Sequence, residues 1–90
     1  MQTIRLQVTS QVGLHARPAS EFVKLAAQFN ADLHVRNATS NSASVDAKSI
    51  LSVLTLGVEQ GHEIEISGDG ADEAEALEAL RTLVETDFGE

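Results

Sequence analysis

Aliphatic and polar residues alternate in the first part of the chain. Every second residue from 4 to 8 is aliphatic, and the residues between them are polar. This period of two is typical of a β-strand with one face on a core. The same alternation recurs at 32–36 and at 62–67. Ala43 and Val45 follow a stretch of small polar residues and predict a short strand on its far side.

Between these strands, apolar residues recur at the spacing of an amphipathic helix. The first such segment begins at Pro18, which is tolerated in the first turn of a helix, and runs to about residue 29. The second runs from 49 to about 57. The third runs from about 71 to 85, after a predicted turn at 68–70, and acidic residues lead it as the helix dipole favours.

These elements follow one another in the order β-α-β-β-α-β-α. Ninety residues are enough for one domain, 1–90, and too few for a second. Short strands separated by helices favour a single antiparallel sheet that carries the helices on one face. We therefore predict an α+β fold with a four-stranded antiparallel sheet and three helices.

Composition and charge exclude several classes of protein. Aliphatic residues must fill the core, because the chain has three phenylalanines and neither tryptophan nor tyrosine. The net charge of −8 argues against nucleic-acid binding, which depends on a basic surface. The absence of cysteine removes disulfides and thiolate metal ligands, and no apolar stretch of about 18 residues could span a membrane. We expect a monomeric cytoplasmic protein with no metal or cofactor.

The segment GLHARPAS, residues 13–20, is the strongest candidate for chemistry. It sets His15 and Arg17 where the first strand gives way to the first helix. A helix N-terminus can hold phosphate through its backbone N–H groups, and histidine is a nucleophile near neutral pH. The N–H groups of Ala16 and Arg17 and the Arg17 guanidinium are the expected phosphate contacts. Arg17, Lys24 and Lys48 are expected to lie near this segment, which predicts a phosphate carried on His15.

The second predicted helix has more large aliphatic residues than one buried stripe requires. The residues that share its inward face are Ile50, Val53, Leu54 and Gly57. Leu51 turns away from them beside Lys48, so Leu51 and part of Leu54 are expected to remain exposed. Exposed aliphatic residues beside a basic one often mark a protein-docking patch, and the alternative is that a loop covers them. Asp46 and Ser49 are the candidates for the N-cap.

GLHARPAS, followed about thirty residues later by VDAKSILSVLTLG, resembles HPr, the histidine-containing phosphocarrier of the bacterial phosphoenolpyruvate–sugar phosphotransferase system. The resemblance covers the whole chain and implies an open-faced β-sandwich. It implies that His15 takes a phosphoryl group on Nδ1 from phosphorylated enzyme I and gives it to a sugar-specific enzyme IIA. It also implies that Arg17 neutralises the phosphate and that Pro18 lies in the first helical turn. The docking residues expected for these partners are Lys24, Lys48, Leu51 and Leu54.

The resemblance also implies regulation at Ser49, which matches the serine that HPr kinase/phosphorylase modifies. In the family, the phosphoserine form binds a catabolite-control repressor. Phosphoserine adds about −1.5 to −2 charge, which a helix N-terminus tolerates, so the effect is expected on partners. The second hypothesis for this chain is therefore a regulatory binding protein of carbon metabolism that acts through phospho-Ser49.

The sequence departs from the family pattern in four places. Val12 stands where many members carry a small polar residue near the active histidine, and the loop at 37–44 is about three residues longer than in common Gram-positive members. Ala27 and Ser52 stand where many enteric members have lysine. The changes at Ala27 and Ser52 thin the basic rim expected to meet enzyme I, and all four differences bear on partner affinity.

The other two histidines are expected to have no special function. His34 alternates with inward residues and should face solvent, and His62 begins a strand and should lie on the surface. The spacing of His15, His34 and His62 does not support a three-histidine metal site. An enzyme with its own small-molecule substrate is disfavoured, because the chain has no nucleotide-binding loop and no second catalytic residue near His15.

Overall fold

The computed structural model describes residues 1–89. Its sheet contains four strands, which are β1 (Gln2–Gln7), β2 (Asp32–Asn37), β3 (Val45–Asp46) and β4 (Glu63–Asp69). Their spatial order is β1-β4-β2-β3, and every neighbouring pair is antiparallel. The predicted four-stranded antiparallel sheet is confirmed.

Three α-helices pack against this sheet. They are α1 (Ala16–Ala26), α2 (Ile50–Leu54) and α3 (Glu73–Glu85), and a short 3₁₀ turn (Asp87–Gly89) follows α3. The order of elements is the predicted one, and the α+β fold is confirmed. Alternate strand residues face the helices, while Arg5 and its neighbours on the opposite face of the sheet meet solvent.

The core between sheet and helices is aliphatic, as composition predicts. Its fully buried members include Leu33 and Val35 on β2, Ile64 and Ile66 on β4, and Leu80 on α3. Burial of each such side chain contributes about 1.5–3 kcal/mol relative to exposure. The apolar residues of the alternating strands and of the periodic helices pack into this one core, which explains why the sequence pattern identified the elements.

The boundary between β4 and α3 differs from the prediction. Residues 68 and 69 were expected in a turn, but Gly68 pairs with Gln2 on one side and Leu33 on the other, and it extends β4. The helix begins at Glu73, later than predicted: Asp72, its N-cap, has a non-helical backbone, and the Asp72 carboxylate makes no capping bond. Its oxygens accept the backbone N–H groups of the segment that follows α1, each at 2.8 Å.

The helix α2 is shorter than predicted. It contains five residues, and Ser49 is its N-cap, with Oγ accepting the Ser52 N–H at 3.3 Å. The other candidate cap, Asp46, accepts the Lys48 N–H at 2.9 Å and shapes the approach to the helix. Ile50 was predicted inward and is 38% exposed, which corrects that prediction. Because the helix ends early, Leu56 beyond it turns inward and fills the core instead.

Candidate phosphoryl-acceptor site

His15 is the residue that precedes the first turn of α1. Its backbone is extended, with φ −129° and ψ 169°, and its side chain makes no capping hydrogen bond. The imidazole is half-buried. No acidic residue lies in the first turn of α1, so the positive end of the helix dipole is not offset there. The ring therefore stands at the end of a helix that favours negative charge.

The backbone after His15 adopts an unusual conformation. Ala16 has φ +51°, a region that residues with a Cβ rarely adopt, and this costs about 1–2 kcal/mol. Pro18 lies in the first turn, as predicted, where its missing N–H removes no helical hydrogen bond. The N–H groups of the helix end come from Ala16 and Arg17, the two positions expected to meet a phosphate.

The acceptor segment, defined as residues 13–15, rests on the chain that follows α2. The Leu14 N–H donates to the Val58 carbonyl at 3.0 Å, and Leu14 is fully buried. Gly13 has φ +65°, and a Cβ at this position would lie 2.1 Å from the Val58 oxygen. A side chain is therefore excluded at Gly13. The close packing of Gly13 on Val58 and the burial of Leu14 together fix the position of the His15 backbone.

Arg17 is bound to the C-terminal turn. Its Nη2 donates to the Phe88 carbonyl at 3.1 Å, and its Nη1 lies 4.0 Å from Oε1 of Glu21. Phe88 is 2% exposed and anchors this turn, although both Asp87 and Phe88 have positive φ. Sequence reasoning did not find this contact. The two residues are 71 positions apart, and no periodic signal links them.

A groove of about 460 Å³ lies beside the helix start. Ala16 and Arg17 form part of one wall, Val12 contributes an apolar side chain that is 50% exposed, and Asp87 lies at the C-terminal side. Among residues 1–89, Oδ1 of Asp87 is a buried oxygen without a hydrogen-bond donor. The groove is thus lined by apolar and charged groups on the same side as the helix N-terminus.

Exposed aliphatic side chains mark α2. Leu51 is 75% exposed and Leu54 is 38% exposed, which confirms that both remain accessible. Ile50 adds a third exposed side chain, while Val53 is the residue that α2 buries. No loop in the described part of the chain covers Leu51. These side chains form the α2 patch, which consists of Ile50, Leu51 and Leu54.

The basic residues do not all lie near His15. Arg17 and Lys24 are two turns apart on α1, about 10 Å along the axis, and share one side of the helix. The Lys48 amine instead donates to the Phe29 carbonyl at 2.7 Å, beyond the C-terminal end of α1. The expectation that Lys48 converges on the acceptor segment is therefore wrong, because its amine binds the Phe29 carbonyl, beyond the opposite end of the helix.

The remaining histidines differ from each other. His34 is exposed on the outer face of the sheet, as predicted. His62 is half-buried, and its Nδ1 lies within hydrogen-bond distance of Glu59 N and Asn37 Nδ2, so the expectation of a surface histidine is wrong. The buried polar side chain of Asn37 could not be recognised in the sequence, since it lies in a stretch typical of a surface loop.

The residues that the structure describes contain neither a cluster of metal ligands nor a membrane-spanning helix. Between residues 1 and 89, no three histidine, cysteine, aspartate or glutamate side chains come together as metal ligands. Across the same residues, no helix is both long and apolar enough to cross a membrane.

Comparison with known proteins identifies the family. Residues 2–86 match the family model described as "PTS HPr component phosphorylation site". The chain belongs to the HPr family. It is a phosphocarrier of the phosphotransferase relay.

Individual relatives agree with this family over nearly the whole chain. The phosphocarrier protein HPr of Neisseria meningitidis serogroup A is 40% identical over 85 residues, which are 94% of this chain and 92% of that protein. The crystal structure of HPr-C-His from Thermoanaerobacter tengcongensis is similar with a TM-score of 0.94 and 40% identity, and it covers 100% of this chain and 98% of that one. The crystal structure of an HPr from Bacillus anthracis has a TM-score of 0.85 at 40% identity, covering 92% and 95%.

Proposed function

We propose that His15 is the phosphoryl acceptor of this HPr-family protein, and that it receives the group from phosphorylated enzyme I and passes it to a sugar-specific enzyme IIA. The observation that carries the proposal is the position of the His15 ring at the N-terminus of α1, with no capping bond and no acid in the first turn. The cytoplasmic location expected from the sequence is part of this proposal.

The transfer is a displacement at phosphorus. Nδ1 of neutral His15 forms the new N–P bond while the N–P bond of the phosphorylated donor breaks, and the donor nitrogen keeps the electron pair. In the transfer to an enzyme IIA, the acceptor nitrogen forms the new N–P bond while the bond between phosphorus and Nδ1 of His15 breaks, and Nδ1 keeps the electron pair. Both bonds join phosphorus to nitrogen, so the two steps are close in free energy and the carrier can load and unload.

Two groups stabilise the transferred phosphate. The backbone N–H groups of Ala16 and Arg17 belong to the N-terminal turn of α1, where N–H groups are suited to bind an anion. The Arg17 guanidinium adds a charge-assisted contact. Phosphate oxygens are stronger acceptors than the neutral Phe88 carbonyl that the guanidinium meets at 3.1 Å, so the arriving phosphate competes for that donor.

The partners dock over the α2 patch and the basic side of α1. Leu51 and Leu54 supply apolar contact, and Lys24 supplies positive charge on the same helix side as Arg17. Lys48 lies next to the patch in sequence and contributes positive charge on the side away from His15, where its amine donates to the Phe29 carbonyl. Alternate docking of enzyme I and enzyme IIA on one exposed surface suits a carrier.

The test is phosphate transfer from phosphoenolpyruvate through purified enzyme I. The expected product carries one acid-labile, base-stable phosphate, which is absent from the His15→Ala variant and present in His34→Ala. The matched histidine control shows that the loss is specific to position 15. A folded wild-type protein that stays unlabelled, or a His15→Ala protein that is labelled normally, contradicts the assignment.

Regulation at Ser49 is a second function that the geometry favours. Ser49 is half-buried at the start of α2 and directly precedes Ile50 and Leu51 of the α2 patch. Phosphate at this position places about two negative charges beside the docking surface. We expect HPr kinase/phosphorylase to modify Ser49, the product to bind enzyme I more weakly, and a catabolite-control repressor to be the partner of that form.

The Ser49 hypothesis is tested separately from the carrier function. Binding of enzyme I is measured by calorimetry for Ser49→Asp and for Ser49→Ala, which loses the cap without adding charge. Weaker binding in Ser49→Asp alone supports charge-based regulation. Equal weakening in both variants attributes the effect to the helix cap and contradicts it.

A further inference from the structure

His62 is held by two hydrogen bonds that the acceptor site does not use. Its Nδ1 lies 3.1 Å from the backbone nitrogen of Glu59 and 3.2 Å from Nδ2 of Asn37. The His62 ring is half-buried, and the Asn37 side chain is fully buried. These contacts determine which nitrogen of the ring carries its proton.

The Asn37 amide has only one orientation that satisfies its neighbours. Its Nδ2 lies 3.1 Å from the Leu56 carbonyl oxygen, which is an acceptor, and its Oδ1 lies 3.1 Å from the Ser40 backbone nitrogen, which is a donor. Exchanging the amide oxygen and nitrogen would set acceptor against acceptor and donor against donor. The group that faces His62 is therefore the NH₂ group, a donor.

Both groups that face Nδ1 of His62 are then donors. The Glu59 N–H is a backbone donor whose direction is set by the chain. Nδ1 must accept from both, so it carries no proton, and the proton of the neutral ring is on Nε2. A buried Asn37 amide without this acceptor would leave a polar hydrogen unpaired, which is costly.

The turn that His62 closes supports the residue before His15. The His62 N–H donates back to the Glu59 carbonyl at 3.0 Å, so ring and backbone close the turn from both sides. The carbonyl of Val58, the residue before Glu59, accepts the Leu14 N–H at 3.0 Å. A continuous chain of backbone contacts thus runs from the His62 ring to the acceptor segment.

We propose that His62, as its Nε2–H tautomer, is a positioning residue for His15, a conclusion that rests on the proposed function of His15 as the acceptor. Its Nδ1 holds the turn at 58–62, which holds Leu14, and His15 is thereby presented at the N-terminus of α1. Without an acceptor at position 62, the Glu59 and Asn37 donors lose their partner and the turn relaxes. None of these contacts involves Leu51 or Leu54 of the α2 patch or Lys24 on α1, so we expect partner docking to persist when they are lost.

The first test is the ring tautomer of the unmodified protein. Two-bond ¹H–¹⁵N spectra distinguish a protonated from an unprotonated ring nitrogen, and they require no phosphorylation. A His62 ring with the proton on Nε2 and an unprotonated Nδ1 is expected at neutral pH. A proton on Nδ1 overturns the proposal, whatever the transfer activity of the protein.

The second test separates positioning from general stability. His62→Leu removes the acceptor, His62→Asn restores one close to the Nδ1 position, and His34→Leu makes the same change on the exposed face of the sheet. The variants are compared as substrates of enzyme I. The kcat of enzyme I with His62→Leu is expected to fall about tenfold and the KM to change little, because the His15 nucleophile is misplaced while docking persists. His62→Asn and His34→Leu are expected to stay within about twofold of the wild type.

The two proposals fail in different ways. If the wild type takes no phosphate from enzyme I, the carrier proposal for His15 fails. If the wild type transfers normally and His62→Leu keeps its kcat, or if His62→Asn falls as far as His62→Leu, the positioning proposal alone fails. If His62→Leu does not fold, the proposal is still overturned by a proton on Nδ1 of His62 in the wild type, or by a kcat for His62→Asn about tenfold below that of the wild type.

Discussion

The guanidinium of Arg17 donates to the backbone carbonyl of Phe88 at 3.1 Å and so joins the first turn of α1 to the C-terminal turn. The buried ring of Phe88 anchors that carbonyl, since it is 2% exposed although it lies near the end of the described chain. The arginine expected to meet phosphate is therefore held by a residue that lies 71 positions further along the chain.

Replacement of Phe88 by alanine should destabilise the protein and release this anchor. Loss of a buried aromatic ring costs about 3 kcal/mol, while Phe29→Ala, at a half-buried phenylalanine, should cost less. Thermal unfolding of the two variants beside the wild type measures this difference. An unchanged Tm for Phe88→Ala would show that the C-terminal turn does not contribute to the core.

Reversal of charge at Arg17 should disable phosphoryl transfer without unfolding the protein. Arg17 is exposed, and Arg17→Glu sets a carboxylate against the incoming phosphate, so the transfer rate should fall about a hundredfold or more. Arg17→Lys keeps the positive charge but loses the planar guanidinium group that can bind phosphate through two N–H groups, so it should retain intermediate activity. Rates are measured with phosphorylated enzyme I. Unaltered uptake by Arg17→Glu would rule out phosphate contact by this residue.

An acidic residue in the α2 patch should weaken enzyme I binding. Leu51→Asp adds charge at a side chain that is 75% exposed, so folding should persist while the Kd rises about tenfold or more. Ala74→Asp makes a similar change on the exposed surface of α3 and should leave the Kd unchanged. Calorimetric titration with enzyme I measures both. Equal affinities for the two variants would place the docking surface elsewhere.

A methyl group at Gly13 should be far more harmful than one at Gly57. Both residues have positive φ, which costs a non-glycine residue about 1–2 kcal/mol. At Gly13 the added Cβ also meets the Val58 oxygen at 2.1 Å, whereas at Gly57 nothing lies within 4 Å. Gly13→Ala should therefore lose more stability and also slow phosphorylation of His15. Chemical denaturation and the transfer assay compare them, and equal losses of stability would contradict the packing of the acceptor segment on Val58.

The carboxylate of Asp72 should make stability depend on pH. The Asn30 N–H, and to a lesser extent the Ala31 N–H, hold the pKa of Asp72 below its ordinary value of 3.8. A pKa lowered by folding adds stability above that ordinary value, and this contribution disappears as the pH falls through the folded pKa. Asp72→Asn should thus lower the Tm at neutral pH, and the difference from the wild type should shrink below pH 3.8. A difference that stays constant into the acid range would contradict the assignment.

The candidate site was predicted unevenly. His15, Arg17 and the exposed Leu51 could be located because each depends on local pattern: a helix start, a proline in its first turn, and an excess of aliphatic residues in a short helix. The position of the Lys48 amine and the burial of His62 could not be predicted. Each depends on a partner more than ten residues away in the chain, Phe29 for Lys48 and Asn37 for His62.

Local chemistry in the sequence determined the order of strands and helices, the aliphatic core and the acceptor segment, because periodicity and the conformational limits of proline and glycine act within a few residues. Tertiary structure alone decided the strand order β1-β4-β2-β3, the extension of β4 through Gly68, the attachment of Arg17 to Phe88 and the contacts of the His62 ring with Glu59 and Asn37. These features arise when distant segments bring donors and acceptors together, and hydrogen bonds between such segments leave no periodic trace in the chain.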